Sequence, residues 1–299
     1  MEKHPVLLKV ELPFRLKERD HFAEDMVVGW DSERMRTYVQ ALIREMLANA
    51  GQFDDCRIQA VRYGGGTASM AGQALADISA AIHRVFDVAP DASVTMSAAV
   101  SNISGATFPF FKRAGVQRFD MEMMALFQPI FVRCNNVDAF DFFAIACDSF
   151  LHAYANDTLG LVLAYGIGGV SMQDFRRSCL AAAGSDAVHV SFLKADKGDL
   201  PSPDETASAI GSAGVALLNV RGQALGAAGF VEYLPMRFAR PGHEDRFLAS
   251  YAAGADVLAF GLGAETRFGG VVSTNTSDFD TYANHSTDYT KITVAARKA

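Results

Sequence analysis

The stretch LPFRLKERDHF, residues 12–22, gathers Arg15, Lys17, Arg19 and His21 directly after an apolar run, VLLKV. Two arginines four apart, with a lysine between them, offer permanently charged donors that can grip an anionic group. The same residues also read as a solvated loop balanced by Glu18 and Asp20. A second stretch, YGGGTAS at 63–69, sets Gly64, Gly65 and Gly66 between Tyr63 and Thr67. Consecutive glycines let the backbone adopt unusual φ values and approach a ligand closely. Their N–H groups and the Thr67 hydroxyl would then bind a carboxylate, amine or phosphate. The spacing matches neither a Walker loop nor a dinucleotide fingerprint, and a tight turn without a ligand explains it equally well. In a third stretch, RFDMEM at 118–123, Asp120 and Glu122 alternate along an expected strand and so share a face. Arg118 is expected on the opposite face. A buried carboxylate pair can do acid/base work; the alternative is a pair neutralised by the two loop arginines. Asp20, Tyr165 and Glu265 complete the polar candidates near this end. The histidines His21, His83, His152, His189 and His243 form no HxxxH or HxH set, and GHEDR at 242–246 is too little for a zinc site.

These groups need a frame, and the chain supplies one by alternation. Strand-like runs fall at 6–12, 57–66, 93–100, 118–123, 159–169 and 187–195. Between them lie helical patterns at 32–51, 70–86, 108–115, 138–155 and 172–184, with another at 205–229. In the first helix Met35, Val39, Leu42, Ile43, Met46 and Leu47 recur at helical spacing, with Ser32 as the expected N-cap. About six β-α repeats predict a parallel sheet with right-handed crossovers. The expected architecture is α/β: a partial (β/α)6 TIM-like barrel over residues 1–200, open on one side. A C-terminal α/β extension, 201–299, would pack on it as one compact unit and cover part of the mouth. Barrel chemistry gathers in the loops at the C-terminal ends of the strands, where LPFRLKERDHF, YGGGTAS, YGIGGVS and FGLGAETRFGG are expected. The polar tail beyond Thr274 is expected to be mobile near its end.

Composition narrows the function classes. The 299 residues are 50% hydrophobic and 20% charged, which suits a well-filled core. A net charge of -7 argues against a nucleic-acid partner. No apolar stretch approaches the ~20 residues of a membrane helix, and the N-terminus has no signal-peptide pattern, so the expected location is cytoplasmic. The four cysteines, Cys56, Cys134, Cys147 and Cys179, contain no CxxC pair and are expected to be free, mostly buried thiols.

Several of these pieces together resemble one family. YGGGTAS, GVQRFDMEMM (115–124), YGIGG, GFVEYLPMRFARPGHEDR (229–246) and ADVLAFGLGAETRFGG (255–270) are similar to the radical S-adenosylmethionine (SAM) proteins of the oxygen-independent coproporphyrinogen III oxidase type. The similarity runs from Val6 to about Tyr282. In that family the first loop reads Pro-Phe-Cys-x-x-x-Cys-x-x-Cys, and its thiolates hold a [4Fe–4S] cluster with one iron left for SAM. Here Arg15, Arg19 and Phe22 stand at the cysteine positions, and His21 replaces the usual tyrosine. Two of these groups stay protonated and the third has no donor atom. The glycine turn, Gly64 to Thr67, is kept. Other positions that meet SAM in the family read Ser97-Ala98-Ala99-Val100, Met124, Val162, Gly168 and Val170. The resemblance therefore implies a radical-SAM-like barrel without its cluster, a pseudoenzyme that binds a small molecule or a protein partner. SAM is one ligand it implies and a tetrapyrrole another. One alternative it leaves is an enzyme of polar mechanism, with Asp120, Glu122 and His21 acting on an anionic substrate held by Arg15 and Arg19. The other is a haem carrier, with His21, Met123 or Met124 as axial ligand.

Overall fold

A computed structural model describes residues 3–15, 28–99, 102–123, 158–165, 171–194, 212–288 and 293–298. In chain order the strands begin with β1 (His4–Glu11), the two-residue β2 (Phe14–Arg15) and β3 (Val28–Gly29), β4 (Cys56–Gly64), β5 (Val88–Ala99), β6 (Arg118–Met123), β7 (Leu159–Tyr165) and β8 (His189–Lys194). They continue with β9 (Val231–Leu234), β10 (Arg237–Ala239), β11 (Val257–Phe260), β12 (Glu265–Phe268), β13 (Val271–Asn275) and β14 (Thr293–Lys298). The helices are α1 (Ser32–Ala48), α2 (Ala74–Val85), α3 (Phe108–Arg113), α4 (Met172–Ala183), α5 (Ser212–Gly226), α6 (Arg246–Ala252) and α7 (Phe279–His285). The helix expected at 138–155 lies outside the described residues.

β1, β4, β5, β6, β7 and β8 pair in parallel, each beside the next, as the β-α alternation requires. β8 and β1 do not meet. β10 and β9 extend the sheet antiparallel beyond β8, and β11 lies parallel along the free edge of β1. β12, β13 and β14 continue outward as an antiparallel meander. The result is the open, partial barrel, and the chain beyond residue 200 supplies both of its flanks. The polar tail, expected to be mobile, instead carries α7 and the edge strand β14, which is paired to β13 from end to end.

The two faces of the parallel strands differ. Val61, Tyr63, Met96, Phe119, Met121, Met123, Leu161, Leu163, Val190 and Phe192 belong to one apolar core. Phe108 and Phe111 of α3 meet Phe119 edge-on, and Phe175 of α4 packs on Phe192, so this face lies under the helices. The alternate residues are Arg62, Thr95, Ser97, Arg118, Asp120, Glu122, Gly160, His189 and Ser191. They form the concave interior, and Arg62 of β4 reaches Asp120 of β6 across β5 at 3.0 Å. The bottom of that interior is apolar: Phe247 and Leu248 of α6 pack against Leu7, Ala60 and Val257.

Local signals set the helix starts. Asp31, not Ser32, caps α1: its carboxylate accepts from the N–H groups of Glu33 and Arg34 at 2.9 Å each. α1 is then locked to the C-terminal segment by buried polar contacts. Glu45 accepts from Tyr282 at 2.5 Å, Asn275 at 2.7 Å and the Gly261 N–H at 3.0 Å. Tyr38 donates to the Glu11 carbonyl at 2.7 Å and accepts from the Leu262 N–H at 2.9 Å.

Candidate functional site

At the C-terminal ends of the strands the chain leaving β1 folds onto the glycine turn. The Leu12 N–H donates to the Gly64 carbonyl at 2.6 Å and the Thr67 N–H to the Phe14 carbonyl at 3.0 Å. Gly66 sits so close that an added Cβ would lie 2.5 Å from the Leu12 carbonyl oxygen and 2.9 Å from Phe14 N and O. At Gly65, with φ +80, a Cβ would meet the Glu11 carboxylate. The close approach that the glycines permit is therefore, first of all, between two stretches of this chain's own backbone. Gly66→Ala has only backbone to push against. It should cost about 1–3 kcal/mol, read as a lowered urea midpoint with an unchanged m-value.

Arg15 is neither a solvated loop charge nor an open clamp. It is 2% exposed, held in β2 beside β3, and its guanidinium lies 3.9 Å from the Glu122 carboxylate. Beside them Lys9 and Glu11 pair at 2.6 Å. Arg19, His21, Lys17, Asp20 and Met124 lie outside the described residues. Tyr63 is on the other face: it is buried under α2 with its hydroxyl on Ser79, and burial pushes its pKa up. The strand turns its apolar parity to the helices, and residue 63 has that parity, so it does not line the mouth. Met123 shares this placement in the helix-side core. Glu265 pairs with Arg267 on β12 at 2.7 Å, away from the concave face.

Asp120 and Glu122 do share the interior face. Each has its own cation, and only one of these comes from the first loop: Arg62 for Asp120, Arg15 for Glu122. Arg118, expected opposite, lies on the same face, as its two-residue offset from Asp120 demands. Its Nη2 donates to the His243 carbonyl at 2.5 Å.

Below the mouth lies a buried ionic layer that the candidate residues only partly foreshadow. Arg62 also reaches Asp245 at 3.3 Å. Asp245 caps α6 through Leu248 N–H at 2.9 Å, and its own N–H donates to the Tyr233 hydroxyl at 3.3 Å. The same hydroxyl lies 2.8 Å from His189 Nε2. Burial, then the charge of Arg118, holds His189 well below the ordinary histidine range, so the ring is neutral. Burial likewise lowers Arg237, whose guanidinium donates to the Phe192 carbonyl at 3.1 Å. Gly160 lies level with Asp120 and His189 in the sheet register, and an added Cβ would fall 2.5 Å from Asp120 Oδ1. Asp120 Oδ1 and His189 Nδ1 are buried without hydrogen-bond partners. One signal for this layer was in plain view: Tyr233, Arg237 and Asp245 all come from GFVEYLPMRFARPGHEDR, so that run builds the barrel floor. The other was Arg62, a lone cation at the interior parity of an apolar strand.

The thiols fit the expectation where they are described. Cys56 and Cys179 are free and buried, and burial pushes Cys179 up to about 12. Cys134 and Cys147 lie outside the described residues.

No family model matches the chain. The chain superposes over its whole length on coproporphyrinogen III oxidase (HemN) from Escherichia coli, a radical SAM enzyme, with a TM-score of 0.80, 16% identity and 73% of that chain covered. The fold is that of a radical SAM coproporphyrinogen III oxidase. The resemblance read from the loops thus holds for the fold. In sequence the chain is similar to the heme chaperone HemW of Mycobacterium tuberculosis, in strains CDC 1551 / Oshkosh and ATCC 25618 / H37Rv. It is 27% identical to each over 260 residues, 82% of this chain. It spans 65% of the length of those curated relatives. No described helix is long and apolar enough to cross a membrane.

Proposed function

We propose that this protein is an accessory relative of the haem-handling radical SAM proteins. In this reading it binds a tetrapyrrole at the strand-end mouth and carries out no reductive cleavage of SAM. The observation that carries it is the buried Arg15–Glu122 pair, which joins β2 to β6 at the strand-end mouth. A [4Fe–4S] cluster takes thiolate donors, and a buried guanidinium is the opposite in charge and lacks a lone pair. The residues present do not fit the cluster. Arg15 acts instead as a counter-ion of Glu122, and Arg19 and His21 are the loop residues assigned to a propionate and the haem iron. Kinship to a heme chaperone supports the ligand class. The retained Gly64–Thr67 turn keeps SAM as the second ligand to be tried.

A polar enzymatic mechanism needs one of Asp120 and Glu122 to exchange protons. Each is already paired with a buried arginine, Arg62 at 3.0 Å and Arg15 at 3.9 Å, which favours the accessory role.

The test is anaerobic reconstitution with iron and sulfide, followed by titrations with haem and with SAM. Iron is expected well below the four per chain of a full cluster. Haem should give a Soret band that weakens about tenfold in apparent affinity in Arg19→Ala. Loss of that band in His21→Ala would identify the axial ligand. A stoichiometric four-iron cluster defeats the proposal. SAM binding without iron or haem binding would move the polar mechanism to first place.

A further inference from the structure

The opposite end of the barrel holds a second candidate site. Where β5, β6 and β7 begin, a pocket of about 320 Å³ opens, bounded by the loop that leads into α6. It is walled by Ser93 and Thr95 of β5, by Arg118 at the start of β6, and by Glu244, Asp245 and Arg246. Two of these side chains present unused donors. Arg118 gives Nη2 to the His243 carbonyl, while its Nη1 is buried with no hydrogen-bond partner. The Ser93 hydroxyl is also buried and unpartnered. An unmade hydrogen bond on a buried charged group is costly, so the pair is poorly explained as packing.

Two other charges of the wall, Asp245 and Arg246, are already engaged. Asp245 binds Arg62 and the Leu248 N–H, and Arg246 binds the Asp91 carboxylate at 3.3 Å and its carbonyl at 2.8 Å. Arg118 is thus a wall cation that meets no carboxylate among the described residues. A guanidinium N–H and a hydroxyl lining one pocket are donors suited to the oxygens of an anionic group. The exposed Glu244 at the rim opposes an anion and limits affinity.

We infer that this pocket binds a small molecule bearing an oxyanion, a carboxylate or a phosphate, through Arg118 Nη1 and Ser93 Oγ. It lies at the other end of the strands from the mouth and stands whether or not the tetrapyrrole reading holds.

The test is calorimetric titration of the full chain with inorganic phosphate and, separately, with acetate, at constant ionic strength. At least one anion should bind saturably. Its affinity should fall about ten- to a hundredfold in Arg118→Gln, fall more modestly in Ser93→Ala, and rise in Glu244→Gln. Binding of phosphate alone assigns a phosphoryl ligand, and binding of acetate alone a carboxylate. Ser93→Ala and Glu244→Gln leave the hydrogen bond to His243 intact and decide the matter should Arg118→Gln fail to fold. The inference is overturned if neither anion saturates, or if binding is unchanged in both of those variants.

Discussion

Asp245→Ala is expected to lower the stability of the fold by about 3–5 kcal/mol, the usual cost of removing one partner from a buried ion pair. The carboxylate is fully buried and has two tasks. One oxygen faces Arg62, which also meets Asp120. The other caps α6, the helix that seats Phe247 and Leu248 against the bottom of the barrel. Asp245→Asn separates the tasks. Asparagine still caps a helix but brings no charge, so its loss should be smaller, about 1–2 kcal/mol. Urea unfolding of both variants checks this. Equal losses would mean that the ion pair, and not the cap, holds the floor in place.

Stability should also depend on pH through Glu45. Burial raises its pKa from the ordinary 4.5 to about 7, against the opposing effect of its hydrogen bonds to Tyr282, Asn275 and Gly261. A carboxyl group with a raised folded-state pKa favours the native state while protonated. Its contribution is complete below about pH 4.5, declines as pH rises, and is gone above about pH 7. The shift corresponds to roughly 3 kcal/mol across that window. His189 works the other way: its depressed pKa lowers stability as pH falls below the ordinary histidine value. The informative quantity is therefore the difference between wild type and Glu45→Gln, followed by urea unfolding from pH 5 to pH 8. That difference should shift in favour of the variant as pH rises. A difference that is flat with pH would show that Glu45 is not titrating in this range.

Much of the frame was legible because it is written locally. RFDMEM is β6 residue for residue, and each of the six parallel strands falls inside or beside a run marked by apolar content. Parity along those runs separates the two faces. Read with the rule that the helix-side set is apolar, it assigns Tyr63 to the core and Arg118 to the interior. What was not legible depends on curvature and on distant return. Arg62 and Asp120 are two strands apart in the sheet, and only its bend brings them to 3.0 Å. Nothing local in ADVLAF says that it lies against VLLKV. The capping residue of α1 was missed by one position because Asp31 and Ser32 are both good caps, and backbone geometry chooses between them.

The place of β11 beside β1 has a consequence for how the protein is made. His4 and Asp256, which meet where these strands begin, are 252 residues apart in the chain. A ribosome adding about 5–20 residues per second delivers β11 some 10–50 seconds after β1. Throughout that interval one flank of β1 offers unpaired N–H and carbonyl groups to any passing strand. A nascent chain halted before residue 257 would keep that flank open, so the C-terminal segment serves as the clasp that ends the vulnerable period of synthesis.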